Sequence, residues 1–175
     1  KGDLNQLTQN GIHNGVVADV KAYQYVSFEE VYNPDKQQRF LMLDEVQDPH
    51  NLGAILRSVE ATGFDGVIVS AKNQVPLTSV VAKTSSGAIE HVKMILVSNL
   101  YQTVLKMQEE GFFAIGTAGE ATHSYTEIPK DRSLLIIMGN EAEGLRPLIK
   151  KGCDMLVSIP MFGKVNSLNV SVATA

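Results

Sequence analysis

Side chains able to do chemistry gather in four stretches of this 175-residue chain. The first, Leu43-Asp-Glu-Val-Gln-Asp-Pro-His-Asn-Leu-Gly-Ala-Ile-Leu-Arg57, is a polar turn running into a helix. Asp48 before Pro49, and Asn51 beyond it, offer side-chain oxygens to the unpaired N–H groups of a helix start. Arg57 follows about one and a half turns into the helix. It reads either as an exposed surface cation or as a group reaching back over the strand ends. The second stretch, Ile115-Gly-Thr-Ala-Gly119, is small enough for backbone to approach a ligand, and it reads equally as a plain turn. The third is Met138-Gly-Asn-Glu-Ala-Glu-Gly-Leu-Arg-Pro147. Gly139 and Gly144 have the spacing of a phosphate loop, but Leu145 and Arg146 stand where Lys and Ser/Thr would be required. Glu141 either caps the following helix or accepts a ligand hydroxyl. The fourth, Ile159-Pro-Met-Phe-Gly-Lys-Val-Asn-Ser-Leu-Asn-Val-Ser-Val-Ala-Thr-Ala175, reads as a strand end, a tight loop and a helix start. Asn166 or Ser167 would cap that helix, with Ser167 and Ser171 sharing a face. Asn166, Ser167, Asn169 and Ser171 together exceed what capping requires, and predict a helix start turned toward a polar ligand.

Several function classes lose support on residue types alone. A nucleoside triphosphatase lacks its lysine, and a dinucleotide-binding oxidoreductase lacks a G-x-G-x-x-G fingerprint. His13, His50, His91 and His123 are scattered, and Cys153 is the only cysteine, so neither a metal site nor a thiol nucleophile is expected. A lone cysteine forms no internal disulfide, and no apolar run approaches the roughly 18 residues of a membrane span; the expected setting is cytoplasmic. The net charge of −4 gives no global attraction to nucleic acid. RNA contact would be local, through groups such as Lys130 with Arg132, or Arg146 with Lys150 and Lys151, although each taken alone reads more readily as solvated surface charge.

The elements that must position these stretches follow from the apolar pattern. Runs rich in Val, Ile, Leu and Phe at 16–20, 40–43, 66–69, 92–97, 112–115, 134–138 and 155–159 predict buried strands. Helical patterns intervene at 51–62 and 99–110, so the fold class is α/β with a mostly parallel sheet flanked by helices. Gly63, Gly111 and Gly152 fall where left-handed helix caps are expected. In such sheets ligands bind at the carboxyl ends of strands, where all four stretches lie. Residues 1–14 are polar and poorly periodic, and read as a linker or remnant from an upstream RNA-binding domain, with one domain over 15–175. The absence of an initial Met and the unfinished helix at Ala175 suggest that both ends are cut.

Taken in order and register, three of the stretches resemble the signature motifs of the SpoU (TrmH) family of RNA 2'-O-methyltransferases, within the SPOUT superfamily. They are Pro49-His-Asn-Leu-Gly-Ala-Ile-Leu-Arg57, Met138-Gly-Asn-Glu-Ala-Glu-Gly-Leu, and Ser158-Ile-Pro-Met continuing to Asn166-Ser-Leu-Asn-Val-Ser171. His13-Asn-Gly-Val-Val-Ala-Asp-Val, with Tyr23 and Tyr25, is similar to the junction in members acting on large-subunit rRNA. The resemblance implies a C-terminal trefoil knot, a homodimer with sites at its interface, and S-adenosylmethionine as cofactor without a metal. It places Thr117, Gly139, Ile159 and Leu168 along the cofactor, with Asn140, Glu141, Gly144, Pro160, Ser167 and Asn169 close by. Arg57 would stand at the substrate hydroxyl, Asn51 and Glu141 would position it or the ribose, and Ser171 with Asn169 would complete the pocket. The implied substrate is RNA, a guanosine of 23S rRNA before a tRNA, the other readings being a tRNA ribose methyltransferase or a non-catalytic RNA-binding or assembly protein. Ala142 departs from the glycine expected after Glu141.

Overall fold

The computed structural model describes residues 2–8, 15–17, 22–140 and 142–175. In chain order the elements are α1 (Gly2–Leu7), α2 (Phe28–Val31), β1 (Arg39–Leu43), α3 (Pro49–Thr62), β2 (Gly66–Ser70), α4 (Ser79–Thr84), β3 (Met94–Val97), α5 (Leu100–Glu109), β4 (Phe113–Thr117), β5 (His123–Ser124), β6 (Leu134–Met138), α6 (Pro147–Gly152), β7 (Met155–Ser158) and α7 (Val170–Thr174). The seven strands form one sheet in the order β3-β2-β1-β6-β4-β7-β5, and every pairing is parallel.

Alternation along each strand sends successive side chains to opposite faces, and helices cover both. Leu41, Leu43, Val67 and Val69 pack under Leu52, Ile55, Leu56 and Val59 of α3. Phe40, Met42, Ile68, Ile95, Leu135 and Ile137 pack against Leu100, Val104 and Met107 of α5, with Ile149 of α6. Burial on two faces is why these strands read as unbroken apolar runs rather than alternating ones.

Most expected elements are present within a residue or two of their predicted bounds. Two expectations are corrected. Val16 and Val17 are exposed and outside any strand, and 18–20 lie outside the described residues. Gly63 and Gly111 are left-handed, at φ 67° and 89°, but Gly152 is the last residue of α6 rather than a left-handed cap. Its missing side chain serves packing instead, because a Cβ there would come within 2.8 Å of the Tyr101 ring. The polar N-terminal stretch includes the short helix α1. No helix among the described residues is long and apolar enough to cross a membrane.

Candidate functional site

The turns following β1, β4, β6 and β7 meet at the carboxyl edge of the sheet, as the parallel topology requires. A cavity of about 690 Å³ is walled by the turns after β4, β6 and β7 together with α3 and α7. Of the residues expected along the cofactor, Thr117, Gly139, Asn140, Gly144, Ile159, Ser167 and Leu168 line it. Pro160, Asn169 and Ser171 border the same segment without lining the space, and Asn51 and Arg57 also stand outside it. Glu141 lies outside the described residues. Sequence reasoning missed Glu120 and Tyr125 on the wall, and Ser58 and Val59 of α3. Glu120 had a signal, since it directly follows the small turn after β4; the others depend on tertiary placement.

The 139–146 loop is built as a tight cradle. Asn140 and Gly144 exchange two backbone hydrogen bonds, of 3.1 and 2.9 Å, with Gly144 at φ 70°. A Cβ on Gly139 would sit 2.2 Å from the Gly144 carbonyl carbon, so only glycine fits there. Asn140, expected close by the cofactor, lines the cavity, and its side-chain amide shapes the loop. Its Oδ1 accepts from the Ala142 N–H at 2.7 Å and the Glu143 N–H at 3.4 Å, and its Nδ2 donates to the Glu45 carbonyl at 3.1 Å. Ala142 has no positive φ, so replacing the expected glycine there imposes no backbone strain.

At the start of α3, Asp48 accepts from the His50 N–H at 2.9 Å, as its position before Pro49 predicts. Asn51 is buried and does a different job from the expected cap: its Oδ1 accepts from Asn169 Nδ2 at 3.0 Å. Asn169 Oδ1 in turn accepts from the Ser171 N–H at 2.9 Å and from its hydroxyl at 2.6 Å. Asn169 therefore caps α7, rather than Asn166 or Ser167, and Ser167 lies outside the helix it was expected to share with Ser171. The structure thus brings Asn51, Asn169 and Ser171 into one chain of hydrogen bonds 118 residues apart in sequence at its first link.

Charges around the cavity are mostly paired. Arg146, expected on a basic surface group, is bound to the fully buried Asp44 and to Glu45, and Lys150 pairs with Glu120 on the rim. Arg57 is exposed and takes part in no ion pair among the described residues. Burial pushes the Cys153 thiol up to about 12, with Asp154 and Asp44 adding to the effect, so it carries no thiolate for chemistry. Among the described residues no three His, Cys, Asp or Glu side chains gather where a metal could be held.

A parallel α/β domain with a glycine cradle at its strand ends narrows the class, and comparison with known proteins narrows it further. The model of the SpoU rRNA Methylase family matches residues 38–175. YacO of Bacillus subtilis, named for the TrmH family of tRNA/rRNA methyltransferases, is 42% identical over 174 residues, covering 97% of this chain and 70% of that protein. A similarly named Staphylococcus haemolyticus protein is 40% identical, covering 100% of this chain and 72% of its own length. Among solved structures, the AdoMet-bound rRNA methyltransferase of Sinorhizobium meliloti superposes with a TM-score of 0.78 at 26% identity, covering 86% of this chain and 57% of that one. The TrmH/SpoU tRNA modifying enzyme of A. aeolicus gives 0.70 at 27% identity, covering 79% and 71%. The chain therefore spans little more than half of the Sinorhizobium chain, and it belongs to the SpoU rRNA methylase family.

Proposed function

We propose that this domain transfers a methyl group from S-adenosylmethionine to a ribose 2'-hydroxyl of RNA, a guanosine of large-subunit rRNA before a tRNA. The Gly139 cradle on the cavity wall is the observation that carries the reading. The cavity's size falls in the range typical of small-molecule sites. Its walls combine apolar groups such as Met138, Leu145 and Leu168 with the polar Thr117 and Ser167, which suits a ligand having both an aromatic base and a charged end. Gly139 and Gly144 would present backbone to it, with Thr117, Ile159 and Leu168 around them. When bound, S-adenosylmethionine supplies an electrophilic methyl group on a sulfonium. A cofactor held by the backbone of Gly139 and Gly144 would need no G-x-G-x-x-G loop.

The chain's own task is to hold the ribose hydroxyl in line and to stabilise negative charge developing on its oxygen. Arg57 is assigned to that task. A guanidinium is a lasting cation with several donors, which suits charge stabilisation or phosphate orientation as well as proton removal. Asn51, held by Asn169, and Glu141 would orient it or the ribose, with Ser171 completing the pocket.

We read the domain as half of a homodimer with shared sites. Arg57 stands exposed outside its own chain's cavity, and Phe162, Val165 and Val172 expose large apolar surface beside that cavity, at 98%, 65% and 60%. A trefoil knot in the C-terminal segment is supported by the path from β7 back to α3, which passes β4 and β6 in the strand order. In the intact protein, Arg57→Ala is expected to remove methyl transfer while leaving S-adenosylmethionine affinity within about threefold, because the residue lies off the cavity wall. Undiminished transfer would end the role of Arg57. Failure of the wild type to bind the cofactor would end the enzyme reading. Transfer to tRNA in preference to rRNA would redirect the substrate assignment.

A further inference from the structure

The Asp44 carboxylate lies at the end of β1 and is fully buried. A buried charge is costly unless it is paired and hydrogen-bonded. Both of its oxygens are satisfied by one residue 102 positions later: Oδ2 accepts from the Arg146 N–H at 2.9 Å and Oδ1 from Arg146 Nε at 2.7 Å. Backbone and side chain of Arg146 are therefore fixed together, which a single side-chain contact would not do. The guanidinium also reaches the next residue, with NH1 at 3.3 Å from Glu45 Oε1.

Glu45 is itself unusual. It holds φ 65°, a left-handed conformation that costs a non-glycine residue free energy and persists only where the surroundings enforce it. Three neighbours enforce it: Arg146, Asn73 Nδ2 on Oε1 at 3.0 Å, and Asn140 Nδ2 on its carbonyl at 3.1 Å. The Asp44–Glu45 turn thus grips the 139–146 loop at its entry through Asn140 and at its exit through Arg146. Leu145, beside Arg146, is part of the cavity wall, and Gly139 is packed against Gly144 with no slack. The same turn continues through the Asp48 cap into α3, which carries Asn51 and Arg57.

We propose that Arg146, clamped by Asp44 and Glu45, is a positioning residue that sets the shape of the cofactor loop relative to α3. The proposal rests on the methyltransferase reading above. A well-packed apolar group could stabilise this junction as well as an ion pair. What the ion pair adds is direction: it fixes where residues 144–146 stand, and a shift of an ångström there moves the cavity wall.

The test uses Arg146→Gln, Arg146→Lys and Glu45→Gln in the intact protein. Arg146 is 46% exposed in its side chain, but its replacement leaves the fully buried Asp44 without its cation, so a lower melting temperature is expected in any case and the dissociation constant of the folded molecules is the deciding readout. Calorimetry with S-adenosylmethionine gives affinity and stoichiometry, and thermal melting without ligand gives stability. Arg146→Gln is expected to weaken cofactor affinity about tenfold at unchanged stoichiometry, with Arg146→Lys recovering most of that and Glu45→Gln losing two- to threefold. A purely structural tie would lower the melting temperature or the bound fraction and leave the dissociation constant of the folded molecules unchanged; that result for Arg146→Gln overturns the proposal. Absence of cofactor binding by the wild type would instead overturn the underlying enzyme reading, and this proposal with it.

Discussion

The turns after β1 and after β7 both lead into helices carrying predicted site residues, and they are built in opposite ways. After β1, Asp44 and Val46 are fully buried, Asp48 caps the next helix, and Leu52, Ile55 and Leu56 anchor that helix completely. After β7, residues 161–169 are all exposed, and among the described residues no hydrogen bond involves 160–168. Hydrogen bonding to the rest of the chain resumes at Asn169, and burial at Val170, which is 5% exposed. The first turn is held by its own core. The second is held chiefly at its ends, so its middle is the part whose geometry its own core does not set.

Substitutions can break that comparison. The largest effect is expected from Gly139→Ala, whose Cβ would overlap the Gly144 backbone at 2.2 Å. Neither element can yield, and a loss of about 3 kcal/mol or more is expected, with cofactor binding abolished, read by thermal melting and calorimetry. Gly53→Ala comes next: α3 approaches α4 so closely that a Cβ would meet Thr84 Cβ at 2.5 Å, and about 1–3 kcal/mol should be lost in a denaturant titration. Asp48→Ala, removing the cap at the start of α3, should cost about 1 kcal/mol. Gly163→Ala should be nearly silent in stability, since a Cβ there meets nothing within 4 Å and its φ is not left-handed. A large destabilisation at Gly163 would mean that the second turn is held by its own chain after all.

Cys153 offers a test of the rigid side of the molecule by chemistry. With its thiol raised to about 12 from an ordinary 9.0, alkylation by iodoacetamide at pH 8 should be slow in the folded protein and fast once it is unfolded. The sign for stability follows from the unfolded chain ionising first. The contribution is fully present below pH 9.0 and is lost progressively as pH climbs toward about 12.

Legibility in the sequence divides along the same line. The sheet was readable because both its faces are buried, which writes strands such as Leu134–Met138 as continuous apolar runs. The start of α3 was readable because Asp48-Pro49 is a local capping signal. Arg146 is exposed, as its reading as surface charge expects, but its pairing with Asp44 was not legible, because Asp44 lies 102 residues away and no local pattern reports a pairing at that distance. Asn51, Asn140 and Asn169 were named as site residues, and the hydrogen bonds that each makes within the chain depend on tertiary placement that no local pattern reports. Residues 160–168 carried motif information without periodicity, so their helix was placed too early; the register with two earlier motifs, rather than any physical pattern, marked them as part of a site.

The central claim is tested most directly by incubating the intact protein with methyl-labelled S-adenosylmethionine and large-subunit rRNA, then hydrolysing the RNA in alkali. A 2'-O-methyl group blocks cleavage at its own nucleotide, so the account predicts label in an alkali-resistant dinucleotide. Label released in mononucleotides, or no incorporation by a protein that binds the cofactor and the RNA, would contradict it.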